Sequence, residues 1–526
     1  MPKIVVVNLT DESVEQYEAD GREYGRGLAV SLLEKYMPAK CSRLGAENAF
    51  IIVPGLFTGA LVPCATRATI VAGGGEGAGI SVSSITGDMP QKLASLGIAS
   101  LVIKGKSDTG DVVLYLDKEQ VEFHPMPELR GRTCGEIVAA IREKWGEECA
   151  AAGCGPAADL RLPISSLFVT YPEGTPRFSC PRSSFGDVPA SKGLRAVVVR
   201  SRKYFEAECD DRAALQNKGK ALAQYIVNDP ICGGALPGLG SITLLHLLKN
   251  KESLPEVLTQ EKKSDIKKRE GAQGKVNYCC APMCVIGCLN RHSGGSGQIY
   301  SAPEESEVRA AVEECFGRYL TDGQADQCAA LLARRGMELG INITEFVFTL
   351  ALYLEATGEV PNLERIAALT EELGQGTVTG RVLGGGTAAV CRLFADQDRI
   401  QKKVTRPAVH KEKEYKVKMD RTVGGMEEKI SDLELLYREI FLFENLGICI
   451  FSSFALLNKA ETLQLLAELY AYKTGRRITV AEMLEYSAVC LKREEEFKIR
   501  LGKAAAVRSI PEFVKVLYRY FETSEK

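Results

Sequence analysis

The feature that most constrains this chain is a set of thiols split between two distant places. Residues 279–288 read Cys279-Cys280-Ala281-Pro282-Met283-Cys284-Val285-Ile286-Gly287-Cys288, and far downstream Cys449 sits in the apolar run Leu446-Gly447-Ile448-Cys449-Ile450-Phe451. Three closely spaced thiols plus a remote one is a common way to hold a 4Fe-4S cluster, which needs four thiolates converging from a short loop and a second segment. A fold built on this pattern must bring residue 449 back onto the 280–288 loop. On a helix, Cys280, Cys284 and Cys288 would form a stripe about 12 Å long, too long to clasp one compact cluster. Pro282 and Gly287 argue instead for an irregular loop that lets the thiols converge. Cys279 is an alternative first ligand. Zinc is the competing metal, but structural zinc sites favour C-x2-C pairs, and the chain has none. A reading without metal, with the thiols as small buried hydrophobes, also stays open.

The rest of the composition narrows the class. A chain of 526 residues is long enough for roughly three domains. A net charge of −2 gives no electrostatic case for nucleic acid or an anionic membrane. No apolar run approaches the ~18 residues of a membrane span. The start, Met1-Pro2-Lys3-Ile4-Val5-Val6-Val7-Asn8, turns polar too soon for a signal peptide, so a cytoplasmic protein is expected. In that compartment, 17 cysteines lean towards metal where they cluster. The isolated ones, such as Cys209, Cys315, Cys328 and Cys490, read as buried small hydrophobes.

Short apolar runs between turn signals mark residues 1–205 as β-rich. Ile4–Val7, Ala49–Val53, Thr69–Ala72, Leu101–Ile103, Val112–Leu116 and Ala196–Val199 read as strands, with helices over Arg26–Tyr36 and Gly135–Trp145. The stretch Gly73–Gly79 is either a flexible loop or a place where backbone approaches a ligand. Beyond residue 206 helical periodicity dominates, with candidates at about 210–227, 241–250, 304–317, 323–339, 342–356, 362–374, 429–445, 460–473, 480–498 and 510–521. Lys402–Arg421 is Lys-rich and reads as an exposed linker. The expected fold is α+β: a β-rich N-terminal double-sheet base domain (1–205), a helical domain carrying the cysteine loop (206–400) and a C-terminal helical domain carrying the fourth cysteine (401–526).

Several ordered segments resemble the tungsten-containing aldehyde ferredoxin oxidoreductase family. They are Gly25-Arg26-Gly27-Leu28-Ala29, Glu47–Ile52, Pro54-Gly55-Leu56-Phe57-Thr58-Gly59, Leu96–Lys106, Arg182–Val188 with Ser191–Ala196, Asp229-Pro230 with Leu236–Gly240, and Cys449 with Phe451-Ser452-Ser453-Phe454. The resemblance implies a base of two β-sheets, with a tungsten or molybdenum pyranopterin between it and the helical domains. It also implies a nearby 4Fe-4S cluster on Cys280, Cys284, Cys288 and Cys449, aldehyde oxidation, and electron transfer to ferredoxin or another redox subunit. Cofactor contacts fall by this resemblance on Arg67, Ser84, Gly87, Arg182, Asn342 and Ile448, with Ser83 and Thr86 in the same loop, and catalytic carboxylates on Glu304 and Glu305. Glu304 and Glu305 also read simply as an acidic helix N-terminus.

This chain departs from the family pattern in ways that bear on function. The family's C-x2-C-x3-C spacing is here C-x3-C-x3-C. Its Asp-x-x-Gly-Leu-Asp pterin motif becomes Met337-Glu338-Leu339-Gly340-Ile341-Asn342, without either acid, and its later Asp-Pro-Arg motif has no counterpart. Two functions are therefore carried forward: oxidation of an aldehyde or related small substrate at the pterin metal, and a pterin-less paralogue serving as an electron-relay or structural subunit. A third is a scaffold whose thiols are structural or bind zinc. Substrate and oligomeric state are left open by the sequence.

Overall fold

This computed structural model describes residues 2–75, 79–172, 178–179, 184–244, 247, 277–293, 299–301, 303–394, 419, 430–502 and 517. The first 200 residues build two six-stranded sheets. Sheet one contains β1 (Lys3–Asn8), β2 (Ser13–Glu18), β3 (Phe50–Pro54), β4 (Ala68–Gly75), β5 (Gly79–Ile85) and β6 (Ile98–Lys104), in the order β2-β1-β6-β3-β4-β5. Sheet two contains β7 (Val112–Leu116), β8 (Val121–Pro125), β9 (Cys149–Cys154), β10 (Leu167–Thr170), β11 (Phe178–Ser179) and β12 (Leu194–Arg200), in the order β11-β10-β9-β12-β7-β8. Each sheet has one parallel pair, β1 with β6 and β7 with β12, one strand in from an edge, and is otherwise antiparallel.

Period-two alternation sorts the side chains into layers. From β1, Val5 and Val7 face the second sheet, joining Phe50, Leu101, Leu114, Ala152 and Val197 in the core between the sheets. Ile4 and Val6, on the opposite face, meet Leu28, Val30 and Leu33 of the helix Gly25–Tyr36. From sheet two, Val113, Tyr115, Ala151 and Val198 turn outward against the helices Cys134–Trp145, Pro303–Phe316, Asp322–Leu339 and Ile343–Thr357. A fourth core collects the helices Arg212–Asn228, Asp432–Leu446, Ala460–Thr474 and Val480–Arg500 around the loop Phe57–Ala65.

Three charged residues from the resembling segments tie these layers together. Lys192, 1% exposed, donates to the carbonyls of Ala46 (3.0 Å), Gly105 (3.2 Å) and Gly45 (3.4 Å), pinning the second sheet's connection to the first. Asp187 accepts both Nε and Nη2 of Arg43 at 2.8 Å. Arg26 pairs with Glu494 through two nitrogens (2.6 and 2.8 Å) and with Glu444 (2.5 Å), fastening its helix to two C-terminal helices. Beside it, a Cβ on Gly27 would lie 2.4 Å from Cys490 Sγ, so this helix approaches Val480–Arg500 too closely for a larger residue.

Some local expectations need correction. Gly73–Gly75 close β4 and Gly79 opens β5, with Gly73 paired to Ile80 and its backbone gripped by the Asn48 side chain at 2.8 and 3.2 Å; residues 76–78 lie outside the described residues. Over 241–250 the described residues are the end of a 3-10 turn, Gly240–Ile242, and helical residues at 243–244 and 247, in keeping with the expected helix. The candidate helix at 510–521 and the Lys402–Arg421 linker lie outside the described residues, apart from Leu517 and Met419. The helices Val378–Gly384 and Gly386–Leu393 carry too few periodic residues to stand out in sequence; Thr377 caps the first by accepting from Gly380 N–H at 3.0 Å.

Candidate cluster site

Three segments meet where the core between the sheets abuts the C-terminal helical core: the loop after β3, the 279–288 loop, and the turn after the helix Asp432–Leu446. Their registration is set by backbone bonds. Thr66 and Arg67 N–H both donate to the Gly447 carbonyl (2.9 and 3.0 Å), and Ala65 forms an antiparallel bridge with Ile448. Cys449 N–H donates to the Cys64 carbonyl at 2.8 Å, and Cys64 N–H to the Met283 carbonyl at 2.9 Å. The turn at Gly447 (φ +77°) packs directly on Gly55: a Cβ at Gly447 would lie 2.9 Å from Gly55 Cα and 2.4 Å from Thr58 Oγ1.

These contacts bring Cys280, Cys284, Cys288 and Cys449 into one buried nest, joined by Cys64. Cys280, Cys288, Cys449 and Cys64 are buried and Cys284 is half-buried. The nest carries donors aimed at sulfur. Arg67 Nη2 donates to Cys449 Sγ at 3.1 Å. Gly287 N–H donates to Cys284 Sγ at 3.5 Å, and the Thr86 hydroxyl is hydrogen-bonded to Cys280 Sγ at 3.5 Å. Cys279 points its thiol at the Cys284 carbonyl (3.2 Å), supporting the loop from its rim.

The electrostatics follow from burial and crowding. Burial opposes the Arg67 charge, yet the Cys449 and Cys280 sulfurs outweigh it and raise the Arg67 pKa. Burial pushes the Cys449 thiol up, with Arg67 pulling the other way. Burial likewise drives Cys288 well up, with Cys280, Cys284 and Cys449 adding to it. Cys280 is raised first by its bond with Cys284, then by burial. Cys284 is opposed by its bond with Cys279, but the bonds from Cys280 and Cys64 win and lower it. A crowded, desolvated set of thiols with a fixed guanidinium is a donor set that a cationic inorganic core would relax, because metal binding favours the thiolate.

The donor set fits a 4Fe-4S cluster: four thiols from a loop and a remote turn, shielded from solvent, with hydrogen bonds to sulfur. Among the described residues, no group of three or more His, Cys, Asp or Glu is arranged to hold a metal ion.

The structure places the pterin contacts implied by resemblance as follows. Ser84 is exposed on β5, opposite Thr69. Gly87 (φ +94°) packs on sheet two, where a Cβ would lie 2.3 Å from the Thr170 carbonyl oxygen. Asn342 is engaged at both ends: Oδ1 caps the helix Ile343–Thr357 by accepting from Glu345 N–H (3.2 Å), and Nδ2 donates to Ser184 Oγ (3.3 Å). Ile448 is 2% exposed in the C-terminal core. Arg182 lies outside the described residues. Glu304 and Glu305 lie in the first turn of the helix Pro303–Phe316, and their side chains are outside what is described. Arg67 serves sulfur rather than an open cleft.

Sequence reasoning missed two residues here. Cys64 precedes Arg67 in Pro63-Cys64-Ala65-Thr66-Arg67 and belongs to no spacing motif. Gln91, 0% exposed on the helix Met89–Ser95, accepts from Gly59 N–H (2.5 Å) and donates to the carbonyls of Ala65 (2.9 Å) and Pro282 (3.4 Å). It fastens the cysteine loop to the β base. A fully buried glutamine is the only hint of this in the chain, and burial is not visible from sequence.

Residues 4–201 match the family model described as the N-terminal domain of aldehyde ferredoxin oxidoreductase. The tungsten-containing aldehyde ferredoxin oxidoreductase of Thermococcus kodakarensis is 28% identical over 255 residues, 47% of this chain and 41% of that protein. The enzyme of the same name from Pyrococcus furiosus is 27% identical over 259 residues, 48% of this chain and 42% of that protein. Residues 4–201 are thus similar to the N-terminal domain of this family. The chain spans about two-fifths of the length of the curated relatives it matches, 41–42%. Its fold is also that of a solved structure described as the active site complex BamBC of benzoyl coenzyme A reductase with 1,5-dienoyl-CoA. The TM-score is 0.69 at 17% identity, covering 99% of this chain and 94% of that one. No helix among the described residues is long and apolar enough to cross a membrane.

Proposed function

We propose that this chain is an electron-carrying oxidoreductase built around a 4Fe-4S cluster on Cys280, Cys284, Cys288 and Cys449. The observation that carries the reading is the buried convergence of these thiols about Arg67, which donates to Cys449 Sγ at 3.1 Å. Such a cluster would move electrons one at a time between a substrate side and ferredoxin or another redox subunit. The chain's residues would set how readily it does so, through burial and through the bonds that Arg67, Thr86 and Gly287 direct at sulfur. In the fuller form of this reading, an aldehyde or related small substrate is oxidised at a tungsten or molybdenum pyranopterin, with Arg67, Arg182, Ser84, Gly87, Asn342 and Ile448 near the cofactor and Glu304 or Glu305 as proton acceptor. A pterin would supply the metal dithiolene at which the two-electron chemistry occurs.

A second reading, a pterin-less relay or structural subunit, is favoured by one specific observation: Asn342, which stands in place of the family's acidic pterin contact, is already spent on a helix cap and on Ser184. Anaerobic purification followed by elemental analysis separates the two. About four irons per chain with tungsten or molybdenum near one atom supports the fuller reading. The same iron without either metal supports the relay. Absence of iron, or a Cys449→Ala variant with unaltered iron and absorbance, overturns the cluster assignment.

A further inference from the structure

Away from the thiols, the surface carries an open cleft of about 410 Å3 lined by Gln224, Tyr225, Asn228, Asp229, Pro230 and Lys459. It lies between the end of the helix Arg212–Asn228 and the turn before the helix Ala460–Thr474. Small-molecule sites run from about 300 to 1,000 Å3, so the space suits a ligand. The helix buries Leu215, Gly219, Leu222 and Ile226. Gln224, Tyr225 and Asn228 therefore fall on its outer side, with the two carboxamides one turn apart. Tyr225 is 39% exposed, which leaves its ring open to the cleft.

Both walls are fixed by the backbone. Asp229 Oδ1 accepts from the N–H groups of Ile231 (3.0 Å) and Cys232 (2.9 Å), at the start of a π-helical turn, Ile231–Ala235. Gly233 brings this turn so close to the helix end that a Cβ would lie 1.8 Å from the Val227 carbonyl oxygen. Such turns are rare and gather at functional sites. On the facing wall, Asn458 takes a left-handed conformation (φ +57°) just before Lys459. Lys459 Nζ donates to the carbonyls of Ala455 (2.9 Å) and Phe454 (3.5 Å). Among the described residues, both of its bonds go to carbonyls and none to a carboxylate. An ammonium has one more N–H than these carbonyls take. Its position is set before a ligand arrives, which lowers the cost of binding.

We propose that this cleft binds a small carboxylate with a flat apolar body. Lys459 Nζ donates to the carboxylate, the Tyr225 ring and Pro230 receive the flat face, and the carboxamides of Gln224 and Asn228 meet polar edges. Two features oppose an anion here, and both are the weaker. Asp229 lines the cleft, but it is 7% exposed and its Oδ1 is engaged by two backbone N–H groups. The carboxyl end of the helix Arg212–Asn228 carries a partial negative charge, worth less than a charge-assisted hydrogen bond from an ammonium. The proposal is independent of the cluster reading, since none of these residues is a thiol or touches one of the four proposed ligands through its side chain in the bonds described.

The test is a ligand-observed NMR titration of the full chain with three probes: benzoate, its neutral counterpart benzamide, and acetate, which has the charge without the flat body. Benzoate should saturate one site with a Kd of about 1 mM or tighter. Benzamide and acetate should each bind about tenfold more weakly, the size of one charge-assisted hydrogen bond or one ring contact. Lys459→Met should weaken benzoate about tenfold and leave benzamide as it is. Tyr225→Ser should weaken benzoate and benzamide alike, by about three- to tenfold. Benzoate that does not saturate below about 10 mM overturns the site. Equal affinity for benzoate and benzamide, or Lys459→Met with wild-type affinity for benzoate, overturns the carboxylate assignment. Should Lys459→Met fail to accumulate, the exposed positions decide: wild-type benzoate affinity in both Tyr225→Ser and Gln224→Ala refutes the cleft, and a loss in either supports it.

Discussion

Replacing Gln91 by leucine tests whether the cysteine loop is held to the β base by one side chain. Leucine approximates the volume of glutamine, so the change removes the polar contacts while leaving the space nearly filled. Gly59 N–H, bonded to Oε1 at 2.5 Å, and the Ala65 carbonyl, bonded to Nε2 at 2.9 Å, would both be left buried without that partner. Each stranded group costs about 1–3 kcal/mol, so the sum is about 2–6 kcal/mol. The third contact, to Pro282 at 3.4 Å, is long and adds little, but it is the one that reaches the cysteine loop. A chain of this size does not unfold in one step, so the informative readout is local: urea titration followed by the iron–sulfur absorbance at about 400 nm. With a urea slope of about 1–3 kcal/mol/M, the bleaching midpoint should fall by about 0.7 M or more. Gln91→Glu is the sharper variant. It keeps an acceptor for Gly59 N–H but places a second acceptor against the Ala65 carbonyl, so it should be at least as damaging at neutral pH and milder where the carboxyl is protonated. A Gln91→Leu midpoint within about 0.2 M of wild type would refute the argument that this side chain secures the loop.

Two further outcomes follow from the packing. Gly447→Ala should cost about 2–5 kcal/mol, combining ~1–2 for a left-handed residue with ~1–3 for overpacking against Gly55 and Thr58, and should bleach the cluster earlier in urea; Gly358→Ala, at φ +73° with nothing within 4 Å, is the control and should show the backbone cost alone. Glu494 is opposed by burial, but Arg26 and Lys498 outweigh it and hold its carboxyl down at about 2; since a depressed folded pKa stabilises above the unfolded value and is lost as pH falls through the folded one, wild type should lose about 3 kcal/mol between pH ~4.5 and ~2, and Glu494→Gln should lack that part of the slope in acid unfolding followed by circular dichroism.

What could be read from the sequence was whatever burial writes locally. The runs at Ile4–Val7, Leu101–Ile103 and Ala196–Val199 are strands because both of their faces are covered, by the opposite sheet on one side and by helices on the other. Near-continuous apolar runs report that situation. The long helices carry a periodic stripe and end at glycine, as at Gly340, Gly358 and Gly447. By contrast β9, Cys149-Ala150-Ala151-Ala152-Gly153-Cys154, has almost no β propensity of its own. It is a strand because β10 and β12 pair with it on either side and the space between core layers admits only small side chains. Gly153 shows the limit: a Cβ there would lie 2.6 Å from the Phe168 ring and 2.7 Å from the Arg195 carbonyl oxygen.

The candidate site divides along the same line. Cys280, Cys284 and Cys288 announce themselves because a cluster loop must pack its thiols into few residues. Cys449 was traceable only as a thiol in an apolar run. Cys64, Gln91 and the pairing of Arg67 with sulfur left no local trace, because their roles are created by long-range backbone registration: Cys449 N–H on the Cys64 carbonyl, and Thr66 and Arg67 N–H on the Gly447 carbonyl. Those bonds use atoms that every residue possesses, so no pattern of residue types encodes them. The sequence marks only the place where they are permitted, at Gly55 and Gly447, where the two backbones pass with no room for a Cβ. A site assembled at such a seam is specified jointly by a few glycines and a few thiols, which is why the thiols of the proposed cluster were readable here while the residues packed around them were not.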